Sequence, residues 1–105
     1  MKYNLVDGDE KVDVLETSRD ISARLKTAQA IDWGVVVDGY LVNAAAVGRV
    51  YAASLYSDHS QKIADGETVV TPPVTDVYQQ QGFTLLRSFN GFDHYVVVSQ
   101  FVGDT

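Results

Sequence analysis

The most legible hydrophobic pattern lies in the last third of the chain. Residues 83–89 and 92–101 are two runs rich in aromatic and β-branched side chains, separated by Asn90-Gly91. Asn-Gly between such runs is a strong hairpin signal, because a type I′ turn needs positive φ at both central positions. Two-residue closure would pair Phe89 with Phe92, Arg87 with His94, Leu85 with Val96 and Phe83 with Val98. With a period of two these residues share one face. Thr84, Leu86, Ser88, Asp93, Tyr95, Val97 and Ser99 share the other. The first face is the more apolar and is expected to meet the core, with Arg87 and His94 near its wet end.

Residues 17–31 show a different period. Ile21, Leu25, Ala28 and Ile31 fall at i, i+4, i+7 and i+10, the single apolar stripe of a helix. Thr17 is the expected N-cap, with Asp20 three residues on in a capping-box arrangement. An acid in the first turn also suits the positive end of the helix dipole. Arg19, Arg24 and Lys26 are expected towards solvent, and Gly34 follows the end of the helix.

Between these regions the signals are short. Val35-Val36-Val37, Asp38-Gly39 and Tyr40-Leu41-Val42 read as a hairpin pairing Val37 with Tyr40 and Val35 with Val42. Asn43 to Val47 fits a strand or a helical turn. Val47 to Tyr56 reads as a strand, with Gly48 marking a bulge or a close backbone approach. Residues 57–66 form a polar loop ending in Asp65-Gly66, and Thr68 to Thr71 is a short strand. Pro72-Pro73 marks an edge, corner or bulge, since proline has no N–H for the ladder, and Val74 to Tyr78 resumes the strand beyond it. At the start of the chain, Lys2 to Val6 reads as a strand, Asp7-Gly8-Asp9 as a turn and Val12 to Leu15 as a second extended piece.

One helix and about five to seven short strands define an α+β fold. Parallel βαβ units need repeated crossover helices, so an antiparallel sheet is expected. The expectation is an N-terminal helix packed on a curved or partly closed antiparallel sheet. The chain has 105 residues, which fits a single domain spanning 1–105 with one core.

Charge changes the functional picture. Eight Lys and Arg stand against 14 Asp and Glu, a net charge of −6. That argues against direct nucleic-acid binding and against electrostatic attachment to an anionic membrane. There is no cysteine, which removes disulfides, thiolate nucleophiles and cysteine-ligated metals. Met1 to Glu10 lacks the apolar stretch of a secretory signal. The apolar runs are far shorter than the roughly 20 residues that span a bilayer. A cytoplasmic protein is expected.

Catalytic chemistry finds no pattern. No serine lies in a G-x-S-x-G elbow. Asp58-His59-Ser60 is contiguous, and adjacent residues do not present a triad to one another. Asp93 and His94 are strand neighbours that point to opposite faces. Two histidines without cysteine make a poor zinc set. Asp7-Gly8-Asp9-Glu10 with Asp13 lacks the order of a calcium loop. Phosphate-binding glycine motifs are missing from the sequence. The expectation is a non-enzyme with no catalytic residue, metal site or cofactor.

Binding has better support. Residues 58–76 carry Asp58, Asp65, Glu67 and Asp76 against Lys62 alone. Tyr56 and Tyr78 lie on or beside strands in the same stretch, and tyrosine joins apolar area to a polar tip. These six residues are the candidate partner-binding set. An acidic surface of this kind would engage a basic patch and speed association.

From Val47 to about Val98 the chain resembles a group of small phage-encoded accessory proteins. The matching elements are Val47, Gly48, Val50-Tyr51, Asp65-Gly66, Val69-Val70-Thr71, Val74, and Asn90-Gly91 with Tyr95. Pro72 stands where that pattern has a serine. The resemblance implies no catalytic residue. It implies a phage or mobile-element protein acting by binding a host protein in the host cytoplasm, such as a nucleic-acid-binding CRISPR complex that it inhibits. The alternative is a small virion or homo-oligomeric component whose copies pair through edge strands near Pro72 and the hairpins.

Overall fold

In the computed structural model of the chain, residues 20–101 are described. The expected elements at Lys2 to Val6 and Val12 to Leu15, and the Thr17 cap, lie outside them. Helix α1 occupies residues 20–29. Its stripe follows the spacing: Ala28 is fully buried, and Ile21, Leu25 and Ile31 pack against the same core cluster.

Six strands follow: β1 (Gly39–Val47), β2 (Val50–Tyr56), β3 (Glu67–Val70), β4 (Val74–Gln80), β5 (Phe83–Ser88) and β6 (His94–Val97). They form one sheet in the order β3-β2-β1-β6-β5-β4. Each half is an antiparallel meander, but β1 and β6 meet in parallel, with Gly39 opposite Tyr95 and Leu41 opposite Val97. The sheet is therefore mixed, which corrects the antiparallel expectation. The parallel pair needs no crossover helix, because the whole of β2 to β5 is the connection between its two strands.

Asp38-Gly39 makes no hairpin. Val35 to Val37 form no strand, and Gly39 opens β1. Its glycine answers a need for space: a Cβ there would overlap Leu55 Cδ1. Asp38 instead closes the parallel ladder, its N–H donating to His94 O at 2.7 Å and its Oδ2 accepting from His94 N at 2.8 Å. Gly48 is likewise a turn residue and not a bulge. It sits with Arg49 between paired Val47 and Val50 at φ 63°, the position of glycine in a type II′ turn. The bulge lies between Val42 and Ala45, where Asn43 takes φ 53°.

The β5–β6 register is the expected one, with Arg87 opposite His94 and Leu85 opposite Val96. Its turn differs. The ladder closes at Ser88 N to Asp93 O, 2.9 Å, and leaves residues 89–92 as a loop in which Phe89 and Phe92 do not pair. Gly91 N donates to Ser88 O at 2.8 Å, and of the two central residues only Gly91 has positive φ. The Asn90 side chain decides this, because Oδ1 accepts from Phe92 N and so holds a local turn of its own.

The first face of this hairpin meets the core as expected, and the second is buried as well. Phe83, Leu85, Val96 and Val98 join Ala28, Trp33 and Val42 in one cluster. Leu86 and Val97 join Leu41, Ala44, Ala53, Leu55 and Val74 in a second. The second cluster exists because the sheet curls on itself. A flat sheet would hold its two edges, β3 and β4, about 24 Å apart at ~4.8 Å per strand. Only Thr71-Pro72-Pro73 joins them, and four Cα steps reach at most about 15 Å. Val74 N accordingly donates to Arg49 O at 2.8 Å, and Thr71 N to Tyr51 O at 2.9 Å. No ladder pairs β3 with β4, so the sheet stays open.

Arg24 fastens α1 to the end of β6. Its Nη2 and Nε donate to Val98 O at 2.7 and 3.2 Å, and its guanidinium lies 5.1 Å from the Phe83 ring centre. Arg24→Ala is expected to lower stability by about 1–3 kcal/mol, since a charged donor to a buried carbonyl is lost. The check is a lower urea midpoint with an unchanged slope.

Candidate functional site

The β2–β3 connection is folded around Asp58. Its Oδ2 accepts from Ser60 Oγ at 2.8 Å and from Lys62 N and Ile63 N at 2.9 Å each, while Oδ1 accepts from Ser60 N at 3.3 Å. The Ser60 hydroxyl, followed by the Ile63 amide, holds the Asp58 carboxyl below the usual carboxylate range. Asp65 Oδ1 accepts from Ser57 N at 2.8 Å and Gly66 N donates to Leu55 O at 2.8 Å, which bring the loop back to β2. His59 N donates to Asp38 O at 2.9 Å, which ties the loop to the start of β1.

Inside this loop, on the concave side of the curl, lies a cleft of about 320 Å³. Its floor is apolar, with Leu55, Ile63, Val69, Pro72 and Tyr95. Asp38, Asp58 and Asp93 line it from three separate segments, with His59 and Ser60. The Tyr95 phenol registers this convergence. Burial pushes its pKa up first, and Asp93, Asp38 and Asp58 push it further.

A titration follows from that cause. The fold favours the protonated phenol, so its contribution to stability is full below the ordinary pKa of 10.0 and is lost as pH rises through the higher folded value. Tyr40 and Tyr51 are raised too, chiefly by burial. The urea midpoint is expected to fall above about pH 10, and less steeply in Tyr95→Phe.

Ser60 Oγ donates to Asp58 directly, so the Asp58-His59-Ser60 string assembles no serine-to-histidine relay. Among the described residues no three His, Cys, Asp or Glu side chains are grouped to hold a metal ion, and no helix is long and apolar enough to cross a membrane.

Of the six candidate residues, Asp58 lines the cleft, and Asp65 and Glu67 lie exposed at the end of its loop and the start of β3. Tyr56 is turned to the helix side, packed against the cluster of Ala28 and Trp33. Asp76 lies on β4, exposed, and Tyr78 on the same strand lies tilted against Trp33, with ring centroids 5.6 Å apart and planes at 39°, and donates to Trp33 O at 2.9 Å. The structure thus groups three of the six and sets the other three elsewhere. Sequence reasoning missed Asp38, Asp93 and Tyr95. Asp38 carried the appearance of a turn residue, and only the parallel β1–β6 pair brings it beside Asp93.

Next to Asp93, the 89–92 loop displays two phenylalanines. Phe92 is 82% exposed and Phe89 55%, the latter beneath Arg49 with the guanidinium 5.2 Å from its ring centre.

The fold and site define an α+β domain with an open, curled mixed sheet and an acidic, apolar-floored cleft. No protein-family model, curated protein or solved structure matches the chain.

Proposed function

We propose that the chain is a non-enzymatic protein-binding module whose acidic cleft engages a basic surface of its partner. The observation that carries this is the convergence of Asp38, Asp58 and Asp93 over an apolar floor. Such a cleft seats the methylene stem of a lysine or arginine while its carboxylates face the charged head. The net charge of −6 adds long-range attraction to the same class of partner. The resemblance to phage accessory proteins supplies the first candidates, the nucleic-acid-binding grooves of bacterial defence complexes such as CRISPR effectors.

The test uses purified effector complexes at low and high salt, with wild type and the Asp38→Lys/Asp93→Lys double variant. A salt-sensitive complex with wild type, formed about tenfold more slowly or lost in the variant, supports the reading. A complex indifferent to salt and to both reversals overturns it. Asp58 is left intact because it also folds the loop; Asp38→Lys removes the acceptor of His94 N, so circular dichroism must show the double variant folded, and Asp93→Lys alone is run beside it with the same expectation.

A second reading has its own observation. β4 is an open edge whose side chains from Thr75 to Gln80 are all exposed, and copies of the chain could pair along it as a homo-oligomeric assembly. Light scattering behind size exclusion decides: a concentration-independent monomer removes this reading.

A further inference from the structure

Asn90-Gly91 does more than turn the chain. Asn90 Oδ1 accepts two hydrogen bonds, from Ser88 Oγ at 2.5 Å and from Phe92 N at 2.9 Å. Phe92 N can only donate, which fixes that atom as the carbonyl oxygen of the amide, and the Ser88 hydroxyl therefore donates to it. Ser88 Oγ itself accepts from Asp93 N at 3.1 Å, which holds the hydroxyl oxygen in place. Ser88 is buried, and the loop around it is exposed. Two fixed donors on one carbonyl oxygen have the form of an oxyanion hole. The atom they address belongs to an amide whose carbon can be attacked by the next backbone nitrogen.

We propose that Asn90 is a site of self-catalysed deamidation, with Ser88 Oγ and Phe92 N stabilising the tetrahedral intermediate. The Gly91 amide loses its proton to solvent hydroxide, and its nitrogen forms a bond to Asn90 Cγ. The carbonyl π pair moves onto Oδ1, between the two donors. The intermediate collapses, the Cγ–Nδ2 bond breaks, and Nδ2 leaves as ammonia with a proton from water. The product is a five-membered succinimide. Water then opens either of its carbonyls, giving aspartate or isoaspartate. Overall one water enters and one ammonia leaves, with no oxidation or reduction.

The surroundings suit this step. A Cβ at Gly91 would meet nothing within 4 Å, so the backbone at the glycine is uncrowded. One feature opposes it: Gly91 N donates to Ser88 O at 2.8 Å, and that bond must open. Water replaces a neutral bond in an exposed turn at small net cost. The two donors on Oδ1 strengthen as charge develops and so act against that cost. The isoaspartyl product would carry an extra methylene in the backbone of this short loop. That re-aims exposed Phe92 and shifts Asp93 on the rim of the cleft. The proposal stands whether or not the cleft binds a partner.

The experiment follows the Asn90 peptide by mass and by isoaspartate content, in mildly alkaline buffer, for folded wild type, the same chain in urea, and folded Ser88→Ala. Folded wild type is expected to gain one dalton at Asn90 at least as fast as the chain in urea. Ser88→Ala, shown to be folded by circular dichroism, is expected to convert several-fold more slowly. Should that variant be unfolded, Ser88→Cys, whose thiol is a weaker donor of similar shape, takes its place with the same expectation. Folded wild type that keeps its amide while the urea sample loses it overturns the proposal, as does a folded Ser88 variant that converts as fast as wild type.

Discussion

Trp33→Ala is expected to cost about 3–5 kcal/mol, a large part of the 5–15 kcal/mol that holds a typical domain together. Trp33 is 4% exposed and belongs to the first core cluster. It also joins α1 to β4. Its Nε1 donates to Ala28 O at 3.2 Å at the end of α1, its carbonyl accepts from Tyr78 OH on β4, and its ring lies against Tyr78. Truncation leaves a cavity in that cluster and removes one of the two donors to Ala28 O. The measurement is urea unfolding followed by far-ultraviolet circular dichroism, since this is the chain's only tryptophan. Trp33→Phe keeps most of the apolar contact and removes one of the two donors to Ala28 O, leaving Ile31 N, and about 1 kcal/mol is expected there. A wild-type midpoint for Trp33→Ala would mean that the helix side of the sheet contributes little to the fold.

Leu86→Ala is expected to cost about 2–5 kcal/mol through the other cluster. Leu86 is 0% exposed and lies with Leu41 and Val97 in the concavity of the curled sheet. Among the described residues no element covers that face from outside; the far side of the same sheet does. A cavity there loosens the curl, and with it the wall that carries Leu55 and Val69 into the cleft. Phe92→Ala is the matched control. At 82% exposure its removal is expected to change stability by no more than about 0.5 kcal/mol. Chemical denaturation of the two variants side by side separates core from display. Equal midpoints would contradict the second core.

Where local chemistry decides, the sequence was readable. The stripe of α1, the β5–β6 register and the corner at Pro72-Pro73 all follow from spacing and from the limits of proline. Asn90-Gly91 located a turn but not its type, because the Asn90 side chain competes for the backbone donors. Asp38-Gly39 misled for a sharper reason. Its glycine serves close packing against Leu55, and nothing within a few residues of it records a contact that distant in the chain. The cleft was legible only in part. Asp58, Asp65 and Glu67 are near in sequence and stay together, whereas Asp38 and Asp93 meet through a parallel pairing that no local pattern encodes.

The order β3-β2-β1-β6-β5-β4 also has a kinetic consequence. Each meander is stitched by short connections and can form early from nearby partners. The seam between them joins residues 56 apart, as between Asp38 and His94, and must wait until the intervening chain has been ordered. Beyond the three paired positions of β1 and β6, it continues through Val98 N to Leu41 O, Ala44 N to Ser99 O and Phe101 N to Ala44 O. This seam is the slow zipper of the fold. The native protein should open there first, and the amides of Ala44, Val98 and Phe101 should exchange with solvent hydrogen sooner than those of Leu85 and Leu86.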